Sequence, residues 1–326
     1  MNMMLTINPK WKHLENPWIG AMVKISEQIR QLELLNPDLL PDLRKYPSVI
    51  IASDYGGQHK GAEYQTLSFL LGIPSLEWDN RRTRIRENFL TLGRRMAFKS
   101  LNDKHKQKAL KPFLDSANFI PGLLATVAIH KSKLSLFEDF NRIDLHNPKF
   151  EKFIKWDVTS FEKLLRVIHF LCFFIGGLSR EGQDIYWFTD QDEIVPPNKD
   201  RRKEVVEIFT HIFQQYIPHK MGQIVMETTE IDTNSRKLED FVAIPDLAAG
   251  ALSEVLTIMH KTNQMPGKNI LRPLPTKISN KTKFIIQWLS QKSEPLKRMT
   301  CVINPTQDDP TLFNLKWLDL TQINYA

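Results

Sequence analysis

Three aspartates stand at the ends of apolar segments that lie far apart along the chain. Asp54 closes a β-branched run that begins at residue 49, Asp190 follows an apolar run over residues 184–189, and Asp246 opens a segment rich in small residues. Carboxylate oxygens are the ligands that Mg²⁺ prefers, and ions held by such clusters cleave phosphodiester bonds. We therefore predict a catalytic site in which these aspartates bind Mg²⁺ or Mn²⁺, with Asp192 and Glu193 as further candidate ligands.

Each aspartate taken alone also fits a structural role. Asp54 precedes Tyr-Gly-Gly and has the residue type that accepts backbone hydrogen bonds in turns. Asp246 suits the N-cap of a helix, and Asp190 begins an acidic segment of the kind found in solvated loops. Only their joint placement favours a shared site: one acid on a central strand, one after a neighbouring strand and one at the start of a helix.

The glycines after Asp54 do not form a phosphate-binding loop. Gly56 and Gly61 have the required separation, but Ala62 and Glu63 stand where such a loop needs Lys followed by Ser or Thr. The glycines instead predict a turn between two strands. His59 and Lys60 in this turn are candidates for phosphate contact, and a solvated turn explains them equally well.

The positive charge of the chain is concentrated in one segment. The formal net charge is +7, while residues 81–108 contain ten Lys or Arg and two acidic residues, a local excess of eight. Clustered cations attract phosphate backbones and gain free energy from counterion release. We therefore predict a nucleic-acid partner, bound by Arg84, Arg95 and Lys99 on a helix over residues 82–101. A solvated face of a basic protein explains the same charges.

Apolar periodicity predicts an α/β fold class in which strands and helices alternate. The predicted strands cover residues 48–54, 64–71, 122–129, 184–189, 223–230, 299–303 and 315–320, and the predicted helices 18–35, 82–101, 159–178, 200–216, 246–260 and 284–289. Pro and Gly between residues 265 and 277 indicate a linker. We predict an N-terminal helical extension over residues 1–46, a mixed-sheet core flanked by helices over residues 47–262, and a C-terminal α+β extension over residues 263–326 that packs on the core.

Two of these segments resemble a known family. Ser53-Asp54-Tyr55-Gly56-Gly57 after a buried strand, and Ile244-Pro245-Asp246-Leu247-Ala248-Ala249-Gly250, resemble the domain of unknown function 3800 family. The resemblance covers roughly residues 48–260 and includes a weaker match over residues 96–99. Tyr55 stands where the family usually has Glu, and Pro245 where it usually has Ala.

The resemblance implies an RNase H-like core and a metal-dependent nuclease, a hydrolase acting on RNA or DNA. The alternative is a catalytically degenerate module that binds nucleic acid or a protein without cleavage. That alternative predicts salt-sensitive binding that is indifferent to metal and to Asp54. The C-terminal segment over residues 281–320 is a further candidate surface for a protein partner.

The sequence favours a cytoplasmic protein. Cys172 and Cys301 lie in apolar surroundings without paired spacing, which indicates a reducing compartment. The N-terminus lacks the charged and apolar regions of a signal peptide. The most apolar segment, residues 170–175, is much shorter than the ~20 residues that a membrane span needs. We therefore expect no membrane segment.

Overall fold

A computed structural model describes residues 9–16, 20–132, 153, 155–190, 194, 199–217, 219–232, 235–265, 272–306, 313–318, 320 and 323–324. The chain divides into two compact units. The first takes its described residues from Met1–Ser48, Leu134–Asp184 and Gln191–Ile224, and the second from Val49–Lys133, Ile185–Asp190 and Val225–Ala326. This division differs from the predicted one, because segments that are distant in sequence join in each unit.

The described residues form seven α-helices and nine strands. In chain order they are α1 (Ala21–Leu35), β1 (Ser48–Gly56), β2 (Tyr64–Gly72), α2 (Leu76–Phe89), α3 (Lys104–Ala117), β3 (Gly122–His130), α4 (Val158–Leu178), β4 (Asp184–Thr189), α5 (Lys199–Tyr216), β5 (Ile224–Thr228), α6 (Lys237–Lys261), β6 (Arg272–Pro273), α7 (Asn280–Ser290), β7 (Leu296–Pro305), β8 (Phe313–Trp317) and β9 (Ile323–Asn324). The predicted α/β class is confirmed.

Seven strands form one mixed sheet in the order β5-β4-β1-β2-β3-β7-β8. The pairs β1–β2, β2–β3 and β7–β8 are antiparallel, whereas β3 and β7 are parallel. A two-stranded parallel sheet of β6 and β9 stands apart from it. β1 therefore lies inside the main sheet, with β4 on one side and β2 on the other.

Helix α6 covers one face of the main sheet. The Thr66 hydroxyl on β2 donates to the Ala249 carbonyl (2.8 Å), and Ser253 Oγ donates to the Tyr64 carbonyl (3.2 Å). Side chains alternate between the two faces of a strand, so Ser68 and Leu70 of β2 face α6 as well. The apolar core lies between this face and α6, and α2, α3 and α7 add side chains to it.

The turn after β1 requires glycine at one position. Gly57 has φ +78°, and a Cβ there would lie 1.9 Å from the Tyr64 carbonyl oxygen. Only glycine fits such an approach without displacing the backbone. The predicted hairpin of the first two strands is confirmed by their antiparallel register, in which Asp54 pairs with Ser68.

The predicted basic helix over residues 82–101 is wrong in its bounds. Helix α2 ends at Phe89, and Leu92 and Gly93 then adopt positive φ values of 58° and 72°. Such angles interrupt a right-handed helix. A 3-10 turn over Phe98–Ser100 and helix α3, which the sequence analysis did not predict, follow in the same basic segment.

The prediction that Asp246 opens a helix is also wrong. Helix α6 begins at Lys237 and continues through Pro245, so Asp246 lies well inside it. Proline removes one backbone hydrogen bond of a helix. Almost every residue between Phe241 and Leu252 is buried, and this burial stabilises the continuous helix in spite of the proline. The N-cap explanation of Asp246 is therefore excluded.

The segment predicted as a C-terminal extension is part of the second unit. Strand β7 pairs with β3 over its length, and β8 pairs with β7. Helix α7 packs against α6 and α3. Leu296 and Val302 of β7 belong to the same apolar cluster as the residues of α6. The C-terminal segment thus completes the sheet and its core.

The first unit contains α1, α4 and α5, with α4 packed against α5. Both carboxylate oxygens of Glu33 accept hydrogen bonds from the backbone N–H groups of Lys10 and Trp11 (2.7 and 3.0 Å). The Trp11 indole is buried against Phe173, with ring centroids 5.0 Å apart. These contacts fix the N-terminal segment of the described chain within this unit.

Among the described helices, α6 is the one long and apolar enough to cross a membrane by length and composition. Of its most apolar stretch, 78% is buried inside the fold. Its contacts with β2, β3 and α7 are those of a core helix. The sequence analysis placed the most apolar segment elsewhere, in what is now α4.

Candidate functional site

Asp246 lies where α6 meets the 3-10 turn that follows α2. The Phe98 N–H donates to Asp246 Oδ2 (2.6 Å). Lys281, in the first turn of α7, donates to the Phe98 carbonyl (2.9 Å), and its ammonium lies 4.2 Å from the centre of the Phe98 ring. A Cβ at Gly250, one turn after Asp246, would lie 2.3 Å from that ring. Glycine here lets the turn approach the helix closely enough to bind Asp246.

The carboxyl group of Asp246 has a raised affinity for its proton. Burial raises the pKa of Asp246 to about 6, and the Phe98 N–H opposes this rise. The negative charge of Asp190 contributes to this rise in the pKa, whereas the ammonium groups of Lys99 and Lys281 oppose it. Asp246 therefore interacts with one carboxylate and two cations, and a site that concentrates charge in this way is a functional-site candidate.

Asp190 lies on the same side of the sheet as Asp246. It directly follows β4, and alternation places it on the face of Phe188, which belongs to the apolar cluster shared with α6. Its Oδ1 accepts a hydrogen bond from Thr229 Oγ1 (2.8 Å), just after β5. The structure thus places Asp190 and Asp246, which precede and follow α5 in the sequence, on one face of the sheet.

Asp54 shares this face of the sheet. Its cross-strand partner is Ser68, whose hydroxyl forms a hydrogen bond with that of Thr126 (2.9 Å). Along α6, Ala249 contacts Thr66 and Ser253 contacts Tyr64, so the helix runs antiparallel to β2. The helical turn before Ala249, which contains Asp246, therefore lies at the level of Ser68 and its partner Asp54. Asp54 Oδ1 also accepts from the Tyr55 N–H (2.5 Å).

The three aspartates do not form a closed ligand set. Within the described part of the chain, the group of three acidic, His or Cys residues whose ligand atoms all lie within 4.8 Å of one another is a different one, Glu63, His130 and His260. Asp192 and Glu193, the further candidate ligands, lie outside the described residues. The structure therefore places Asp54, Asp190 and Asp246 on one face and at one level, with carboxylates farther apart than in a metal-bound cluster.

Tyr55 lies on the opposite face of β1 from Asp54. Its hydroxyl forms a hydrogen bond with Ser53 Oγ (2.8 Å), which also accepts from the Trp187 indole (2.8 Å). Tyr55 and Trp187 are therefore packing residues on the face away from α6, and neither adds to the aspartate site.

Two arginines of the basic segment are neutralised inside the fold. Arg86 pairs with Asp240 and Glu239 of α6 at 2.5 and 2.8 Å, and the buried Arg82 also pairs with Asp240 (3.2 Å). These arginines hold α2 against α6. The segment is therefore not a uniform basic face, and fewer of its cations are exposed than the charge count suggests.

The three residues predicted to bind nucleic acid on this segment are exposed. Arg84 lies on α2 and Lys99 in the 3-10 turn, while Arg95 is paired with Glu239 (2.8 Å) with 55% of its side chain exposed. Lys99 acts electrostatically on Asp246, so it is the one of the three that the structure ties to the aspartates.

His59 and Lys60 are exposed in the turn between β1 and β2. The neighbouring Gly61 carbonyl accepts from Lys261 at the C-terminal end of α6 (2.9 Å). Since Lys261 follows Asp246 by fifteen residues, this turn lies about 22 Å from Asp246 along the helix axis. The structure does not bring His59 and Lys60 to the aspartates.

Several residues of the site had no role in the sequence analysis. Lys281 was assigned to a C-terminal extension, Thr229 to the end of a strand, and Phe98 to the last turn of a helix. Only the weak motif over residues 96–99 pointed to this region. Lys281 and Thr229 lie at the site because of contacts between segments that are distant in sequence, and a local sequence pattern does not predict such contacts.

Comparisons of this chain with protein-family models, with curated proteins and with solved structures gave no match.

Proposed function

We propose that this chain is a metal-dependent phosphodiesterase of RNase H-like type that acts on nucleic acid through Asp54, Asp190 and Asp246. The observation that carries the proposal is the placement of Asp190 and the half-buried Asp246 on the sheet face that also holds Asp54. One acid lies on an interior strand, one follows the neighbouring strand, and one lies on α6, which packs on the same face of the sheet. Such an arrangement collects negative charge where a cation would relieve it.

The donor set fits Mg²⁺ or Mn²⁺, because all three side chains offer carboxylate oxygens. Binding must draw these carboxylates closer than they stand in the structure, and this closure is part of the proposal. Bound ions of this kind activate a water molecule and stabilise the leaving oxygen. Before a metal binds, the Phe98 N–H donates a hydrogen bond to Asp246 and the Thr229 hydroxyl donates one to Asp190.

The exposed cations near the site would position the substrate. Lys99 lies close enough to Asp246 to lower its pKa and would contact the phosphate next to the scissile bond. Arg84 and Arg95 would hold the backbone farther along the strand. The buried free cysteines, Cys172 and Cys301, fit the reducing cytoplasm as the setting of this activity.

Cleavage assays test the proposal. We expect the purified chain to cut single-stranded, duplex or hybrid nucleic acid in Mg²⁺ or Mn²⁺ and to be inactive in EDTA. Asp54→Asn and Asp246→Asn should each reduce the rate at least about 100-fold, because each removes a charged ligand but keeps the side-chain shape. Asp38→Asn, at an exposed acid of the first unit, is the matched control and should retain full activity.

Two outcomes would count against the proposal. Cleavage that persists unchanged in both Asp54→Asn and Asp246→Asn would assign the activity to other residues or to a contaminant. Salt-sensitive binding without cleavage, indifferent to metal and to Asp54, would instead identify a nucleic-acid-binding module that has lost catalysis. The ammonium groups of Lys99 and Lys281 beside Asp246 favour this second function, since they already compensate part of the negative charge.

A further inference from the structure

A second cluster of ligand-type side chains lies at the other end of α6. His130 is the last residue of β3, Glu63 directly precedes β2, and His260 lies in the last turn of α6. Their ligand atoms all lie within 4.8 Å of one another. The Nε2 atoms of the two histidines are 3.3 Å apart. Three elements distant in sequence thus direct two imidazoles and one carboxylate at one point.

We propose that Glu63, His130 and His260 bind one late first-row divalent cation of the Zn²⁺ type. Two imidazoles and a carboxylate form a donor set typical of zinc sites with an open coordination position, whereas Mg²⁺ prefers oxygen ligands alone. Two ligands at 2.0–2.1 Å from a tetrahedral centre are themselves about 3.3–3.4 Å apart. The separation of the two Nε2 atoms, 3.3 Å, is therefore already that of adjacent zinc ligands.

The backbone of this cluster is fixed before any cation binds. The Glu63 N–H donates to Thr257 Oγ1 of α6 (3.0 Å), and the Glu63 carbonyl accepts from the Lys131 N–H (2.8 Å). The buried Tyr64 ring packs edge-on against both His130 and His260, with centroid distances of 5.1 and 5.9 Å. A site whose ligands are positioned in advance loses less conformational entropy on binding.

The outer partner of His130 permits the tautomer that a metal needs. Ser132 Oγ lies 2.6 Å from His130 Nδ1 and can accept a hydrogen bond from Nδ1–H, which leaves Nε2 unprotonated and able to bind the cation. The Ser132 N–H, 3.2 Å from the same nitrogen, supports the other tautomer, in which His130 Nε2–H points at His260. The competing explanation of the short His–His distance is thus a hydrogen bond between two neutral rings.

The charges around the cluster act in both directions. The Glu63 carboxylate and the negative end of the α6 dipole favour a cation. Lys261 opposes it, because its ammonium lies 3.3 Å from Glu63 Oε1. Lys261 therefore competes with the cation for Glu63, and its removal should tighten metal binding.

This site is separate from the aspartates and does not rest on the proposed function. His260 follows Asp246 by fourteen residues, about 21 Å along the helix axis. Glu63 and His130 are half-buried and His260 is exposed. Solvent therefore reaches the cluster, and a fourth position is open to water or another small ligand.

Calorimetric titration of the full-length chain with ZnCl₂ tests the proposal. We would use the Asp246→Asn background, so that ions at the aspartates do not contribute. One Zn²⁺ per chain is expected to bind, and MgCl₂ should give no heat at this site. His130→Ala and His260→Ala should each weaken Zn²⁺ binding at least about tenfold, and Lys261→Gln should strengthen it. His211→Ala, at an exposed histidine of α5, is the matched control and should bind like its parent.

A spectroscopic measurement guards against variants that merely misfold. Co²⁺ in a tetrahedral nitrogen and oxygen site absorbs visible light, and this absorption should be lost in His260→Ala while the far-ultraviolet dichroism stays unchanged. Zn²⁺ affinity that remains within about twofold in both histidine variants would overturn the proposal. So would a parent chain that binds no Zn²⁺, which would leave the His–His hydrogen bond as the explanation.

Discussion

At the scale of single residues, the surroundings of Asp246 include groups that raise its pKa and groups that lower it. Burial and Asp190 favour its neutral form, while the Phe98 N–H and two ammonium groups favour the carboxylate. Its raised pKa means that the folded protein holds the proton more tightly than the unfolded chain does. The stability that this provides is complete below pH 3.8 and is lost as the pH rises through about 6.

We predict that Asp246→Asn stabilises the metal-free protein at pH 7.5 relative to pH 4. The shift from 3.8 to about 6 corresponds to at most about 3 kcal/mol, a cost that asparagine, which does not ionise, avoids. Urea unfolding in EDTA at both pH values measures the difference between variant and wild type. Asp38→Asn is the control and should show no pH-dependent difference. Equal unfolding free energies of Asp246→Asn and wild type at pH 7.5 and at pH 4 would contradict the interpretation.

At the scale of elements, ion pairs between α2 and α6 account for two cations of the basic segment, Arg82 and Arg86. Asp240 is fully buried and binds both Arg82 and Arg86. Sequence analysis could count these charges but could not assign them, because their partners lie more than a hundred residues away. These two arginines join two helices, whereas Arg84, Arg95 and Lys99, the residues of this segment predicted to bind nucleic acid, are exposed.

We predict that Asp240→Ala lowers the free energy of unfolding by about 3–5 kcal/mol, because it leaves the buried Arg82 and the half-buried Arg86 without their shared partner. Asp115→Ala breaks the exposed Lys111–Asp115 pair, 2.7 Å long, and should cost no more than about 1 kcal/mol. Urea denaturation of the two variants provides the comparison. Similar losses in both would show that the network contributes little.

Local patterns predicted the strands well and the helix ends poorly. Apolar runs located β1, β2, β3 and β4 to within a few residues, because a strand buried in a sheet is recognisable from its own composition. The ends of α2 and α6 depend on features that a local pattern does not contain. Leu92 takes a positive φ, and the burial around Pro245 outweighs the preference of proline for a helix start.

At the scale of the whole molecule, the sequence singled out Asp54, Asp190 and Asp246 as candidate ligands but not the residues that surround them. Those three share a signal because each follows or joins an apolar segment. Lys281 has no such signal, because its place near Asp246 depends on the packing of α7 against α6 and on the pairing of β7 with β3. The same long-range pairing made residues 263–326 look like an extension, because β3 ends at residue 130 and β7 begins at residue 296.

We predict that a chain truncated after residue 262 does not fold cooperatively. Truncation removes β7 from the edge of β3, where it pairs from Gly122 to Ile129, and removes the buried Leu296, Val302 and Ile303. It also removes α7 from α6. The apolar face of α6 and the edge of β3 are then exposed, and both promote aggregation. Size-exclusion chromatography and thermal melting of the truncated and full-length chains measure this effect. A monomeric truncated chain with a cooperative melt would show instead that residues 263–326 are a dispensable extension.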